Sequence, residues 1–64
     1  MTEMNDARLR LARTVRAACV QAAKEGYERA SMSGLCAEGA LEAAISAIEM
    51  LDLSAVLGAG EARP

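Results

Sequence analysis

Histidine, phenylalanine and tryptophan are missing from this 64-residue chain, and tyrosine occurs once. Without histidine there is no imidazole to act as a base near neutral pH, so Ser-His and Cys-His nucleophiles are excluded. A structural zinc site normally draws four ligands from cysteine and histidine, and two cysteines in one chain cannot complete it. The scarcity of aromatics removes the stacking platform on which single-stranded nucleic acid is bound. No apolar run approaches the roughly 18 residues that suggest a membrane span. Neither charge sign dominates: seven lysines and arginines stand against nine carboxylates, a formal net charge of −2. The polar, acidic opening from Met1 to Asp6 differs from the basic start of a secretory signal, so the expected location is the cytoplasm, with reduced thiols.

What the chain does have is alanine, at 15 of its positions. Small residues let helix backbones approach closely, and most of the remainder are good helix formers. The spacing predicts a first helix over about 5–30, with Asn5 or Asp6 as its cap. A turn over 31–34 comes next, at Ser31-Met32-Ser33-Gly34. A second helix is expected over about 35–53, where Asp52-Leu53-Ser54 can end it and cap a short helical turn over 54–57, and a flexible tail follows over 58–64. The whole is one small all-α domain, an antiparallel helical hairpin.

At about 100° per residue, Leu11, Val15, Ala18, Ala22 and Gly26 share one face of the first helix, and Leu41, Ala44, Ile45, Ile48 and Leu51 share one face of the second. Leu9, Ala12, Val20, Ala23 and Tyr27 widen the first arc beyond what one neighbouring helix covers. Gly26 inside a helix costs about 0.5 to 1 kcal/mol relative to alanine, so its place on the seam marks a close backbone crossing. A chain this short buries only about 60% of its unfolded surface when folding alone. With no metal set and at most one disulfide, association is the remaining support. The expected assembly is a homodimeric four-helix bundle joined through these ten apolar and small residues.

Three sets of side chains invite a chemical reading. Arg10, Arg13 and Arg16, with Arg8, form the one basic cluster and are the candidate nucleic-acid contact. The negative net charge, the absence of interleaved aromatics and a row that drifts around the helix argue against that reading. Cys36, near the start of the second helix, is the candidate reactive thiol, since a helix N-terminus favours thiolate. It has no histidine partner and Glu38 lies close by. Cys19 sits about ten residues too far along the hairpin to reach it, some 14 Å by helical rise against the 7 Å limit for a disulfide. Glu38, Glu42 and Glu49 share a flank but lack the histidines of di-iron bundles, so no metal is expected. The five glycines compose no phosphate-binding loop, and no cofactor is expected. The function that fits is a small cytoplasmic interaction or regulatory module, without catalysis of its own, whose partner is itself and, beyond that, an unidentified protein. A nucleic-acid-binding regulator using the arginines, or a thiol sensor at Cys36, are the alternatives.

Overall fold

A computed structural model of the chain describes residues 3–61, with side chains from 4 to 58. It consists of three helices, α1 (Glu3–Met32), α2 (Ala37–Glu49) and α3 (Leu53–Glu61), with no strand among the described residues.

The helix α1 is longer at both ends than periodicity predicts. Asn5 and Asp6 lie inside it and are not its cap. Their helix cost is modest, and an acidic residue in the first turn is favoured by the helix dipole. At the other end α1 runs through Ser31 and Met32 and stops in a Schellman arrangement. The N–H of Gly34 donates to the Ser31 carbonyl and that of Leu35 to the Ala30 carbonyl, both at 3.0 Å. Gly34 adopts φ +98°, a conformation that costs glycine nothing and any other residue strain. The reversal therefore occupies 33–36, and the expected turn at 31–34 is displaced by two residues.

Because Leu35 is used in closing α1, α2 begins only at Ala37, with Cys36 in an extended conformation as its N-cap. It also ends earlier than expected, at Glu49. Met50 N–H still donates to Ser46 O, but Leu51 N–H turns to Ile48 O, a tighter three-residue closure. Asp52 then starts a new helix, its Oδ1 accepting from Ala55 N–H at 3.1 Å and its carbonyl from Val56 N–H at 3.0 Å. The segment that periodicity reads as one helix over 35–53 is thus cut by a capping carboxylate. Beyond the cut, α3 is a nine-residue helix in place of a 54–57 turn. It carries through Gly58 to Glu61, where the sequence predicts a flexible tail; residues 62–64 lie outside the described residues.

α2 runs back along α1, and Gly26 marks the crossing. A Cβ built there would lie 2.9 Å from Ala47 Cβ, 3.0 Å from the Ala43 carbonyl oxygen and 3.2 Å from Ala44 Cα. Two backbones touch at that point with no room for a side chain. The buried residues are correspondingly small: Gly26, Ala30, Ala40 and Ala44, and no large side chain among the described residues is fully buried. α3 packs against α1 and, among the described residues, makes no contact with α2. The result is a slab of 47 × 25 × 14 Å with a radius of gyration of 14.7 Å, against about 10.7 Å for a compact domain of this length. Its accessible surface is 5072 Å², where a folded monomer of 6.7 kDa exposes about 3,900 Å².

Candidate docking face

The ten residues that the sequence places on one interface divide into two sets. Gly26 and Ala44 are buried in the α1–α2 crossing, and Leu11, Val15, Ala18, Ala22 and Leu51 are half-buried. Leu41, Ile45 and Ile48 are not covered, with 54%, 49% and 36% of their surface exposed. On α2 these three lie within about 60° of one another, one sector round from the buried Ala40 and Ala44. The small residues take the contact and the large ones are left on its flank. Only a short side chain allows the approach seen at Gly26, so the alanine sector of the apolar arc wins the neighbouring helix.

α1 shows the same division. Ala7, Leu11, Thr14 and Ala18 lie along one side and are half-buried, while Leu9, Val20 and Tyr27, within about 20° of one another on another sector, are exposed. The Thr14 hydroxyl needs no outside partner, since it donates to its own helix at Arg10 O, 3.0 Å away. In an antiparallel pair, sectors rotated in the same sense from the contact line emerge on the same side. The Val20–Tyr27 sector of α1 and the Leu41–Ile48 sector of α2 therefore form one surface. A shallow depression of about 420 Å³ lined by Ala23, Tyr27 and Ala44 lies between them and joins the two helices. Lys24 and Glu28 edge it.

The face accordingly consists of Leu9, Val20, Tyr27, Leu41, Ile45 and Ile48, with Leu35 near its α2 end also exposed. Helical spacing alone puts Leu9, Val20 and Tyr27 at the edge of the arc without assigning them to the interface. Their signal is the shared sector, which gains meaning once the direction of the α1–α2 pairing is known. Across the slab a second depression, of about 510 Å³, is lined by Ala22, Ala43, Ala47 and Met50 and crossed by Glu25, Arg29 and Ser46. That side is mixed and polar where the first is apolar.

The arginine candidates do not gather. Arg13 and Arg16 flank the Leu9–Val20 line, whereas Arg10 lies about 100° away from it. All three are exposed. Cys36 is exposed at the α2 N-cap, where its side chain makes no capping hydrogen bond, and Cys19 is half-buried in the middle of α1; both thiols are free. Glu38, Glu42 and Glu49 sit on the side of α2 turned away from α1, and no group of three potential metal ligands occurs among the described residues. No described polar or charged side chain is buried, so there is no sequestered acid or base of the kind that active sites use. No described helix is long and apolar enough to cross a membrane. Comparison with protein-family models, with curated protein sequences and with solved structures gives no match.

Proposed function

We propose that this chain is a non-enzymatic association module that works by docking the apolar face of α1 and α2 onto a helical partner, in the first instance a second copy. The observation that carries this reading is the mismatch between what is buried and what is exposed. Burial goes to glycine and alanine, while Leu9, Val20, Tyr27, Leu41, Ile45 and Ile48, worth about 1.5 to 3 kcal/mol each when a large apolar side chain is fully covered, are exposed on one side; Met50, also exposed, lines the opposite side. Large contiguous apolar patches on small soluble proteins mark interaction sites. Two such slabs laid face to face make a four-helix bundle from α1, α2 and their copies, with each α3 on the outer flank. The exposed, free Cys36 suits a reducing cytoplasm.

Sedimentation equilibrium with Ile45→Glu tests the proposal. The wild type is expected to be dimeric at micromolar concentration. The variant places two carboxylates in the interface per dimer and should weaken association by roughly a hundredfold or more, since each uncompensated burial of a polar group costs a few kcal/mol. A wild type that sediments as a monomer and melts cooperatively would remove the basis of the reading. Salt-sensitive binding to RNA or duplex DNA by that monomer would move the function to the arginines.

A further inference from the structure

Charge in this molecule is divided by helix. α1 holds Arg8, Arg10, Arg13, Arg16, Lys24 and Arg29 against Glu3, Asp6, Glu25 and Glu28, a formal +2. Residues 33–61, which take in α2, the junction and α3, hold Glu38, Glu42, Glu49, Asp52 and Glu61 and no lysine or arginine, a formal −5. Where α3 packs on α1 it therefore brings negative charge only. The division reaches the apolar face. On α1, Arg13, Arg16 and Lys24 lie within about 60° of the line through Leu9, Val20 and Tyr27, with one carboxylate, Asp6, in the same sector. On α2, Glu38, Glu49 and Glu42 occupy the 60° or so beyond Ile45. One edge of the face is cationic and the other acidic. Among the described residues, no side chain of Arg13, Arg16, Lys24, Glu38, Glu42 or Glu49 has a hydrogen bond or ion pair within the chain.

We infer that in the self-associated state each α1 lies over the α2 of the other copy and not over its α1, so that the cationic edge of one face meets the acidic edge of the other. This rests on the self-association proposed above and adds which helix faces which. In that arrangement the two-fold axis runs along the helices. Each α1 is flanked by two antiparallel α2 helices, its own and its partner's, and the two α1 helices sit on the diagonal, pointing the same way. The alternative, α1 over α1 and α2 over α2, sets Glu38, Glu42 and Glu49 of each copy against the same three of the other, with no cation on either α2. Like charges brought together across an interface disfavour it. An axis along the helices also keeps corresponding residues level. Gly26 lies beside Ala43, Ala44 and Ala47, so Lys24 is level with about residue 47 of either α2, within one turn of Glu49 of the other copy along the axis.

The test uses the full chain with Cys19 and Cys36 replaced by alanine and a nitroxide attached at Arg8→Cys in one sample and at Ser31→Cys in another, exposed positions near opposite ends of α1. Neighbouring axes in a bundle are about 8 to 10 Å apart and diagonal ones about 14 Å, so electron–electron distances on the dimer should fall under about 30 Å at both positions. Two α1 helices running opposite ways cannot be close at both ends. The sites are about 23 residues apart, so the two distances would then total at least about 69 Å, and one of them would be about 35 Å or more. That result would overturn the inference. Charge reversal identifies the neighbour independently. Lys24→Glu should raise the dimer Kd about tenfold at low salt, because the pair is individually weak but occurs twice. Adding Glu49→Lys to the same chain should recover most of that loss, and a double variant no tighter than the single counts against α1 over α2. If dimers form yet these tests fail, only the arrangement is wrong. If no dimer forms, the association itself is wrong.

Discussion

Two glycines in helices of this chain have opposite roles, decided by what a methyl group would meet. At Gly26 a Cβ would fall 2.9 to 3.2 Å from Ala47 Cβ and from the backbone of Ala43 and Ala44. Backbone cannot step aside as the end of a long side chain can. Gly26→Ala gains up to about 1 kcal/mol of helix propensity but forces the crossing apart, at a typical cost of about 1 to 3 kcal/mol. We expect a net loss of about 1 to 2 kcal/mol, seen as a lower thermal midpoint by circular dichroism. At Gly58 in α3 nothing lies within 4 Å, so Gly58→Ala should raise the midpoint, by an amount corresponding to at most about 1 kcal/mol. If Gly26→Ala also raised the midpoint, the α1–α2 crossing would be looser than these distances require. Gly26 is legible in the sequence because helical spacing puts it on the seam among alanines. Gly58 is not, because nothing in a Gly-Ala-Gly sequence distinguishes a weak helix from a tail.

At the level of elements, the separation of α2 from α3 rests on one side chain. Residues 35–53 consist mostly of residues that tolerate a helix, and periodicity reads them as continuous. The break comes from a local competition that periodicity does not register: the Asp52 carboxylate takes the Ala55 N–H, and the Leu51 N–H bonds three residues back. Replacing Asp52 with alanine should destabilise α3 by about 1 kcal/mol, the usual worth of such a cap. Amide exchange would show it as roughly fivefold faster exchange in α3 with little change in α2. Asp52→Asn retains the acceptor oxygen and should leave exchange near the wild-type rate. Should Asp52→Ala slow exchange around Met50 to Leu53, the helix would have run on through the break, with intrinsic propensity the stronger term. The division of the interface is hidden from the sequence for a related reason. A helical wheel shows how wide an apolar arc is, but not which sector a neighbour takes. That choice is made by Gly26, whose lack of a side chain draws α2 toward the alanines and leaves Leu41, Ile45 and Ile48 on the flank.

For the whole molecule, folding and association are expected to be one transition. A slab whose buried residues, among those described, are one glycine and three alanines gains little from burial against a backbone entropy cost of about 1 to 2 kcal/mol per ordered residue. The large side chains that could balance that cost lose their exposure only in the docked state. When folded dimer is in equilibrium with unfolded monomer, each tenfold rise in protein concentration adds about 1.4 kcal/mol to apparent stability. At an unfolding entropy of about 2.1 cal/mol/K per residue over both chains, that displaces the midpoint by about 5 °C. Circular dichroism melts across a roughly hundredfold range of concentration should therefore spread by about 10 °C, and Ile45→Glu should lower the entire set. A midpoint independent of concentration would mean that the α1–α2 crossing is stable alone, and the open apolar face would then have to be kept for a partner other than this chain. The spread in midpoint thus distinguishes a face needed for folding from one held in reserve for another protein.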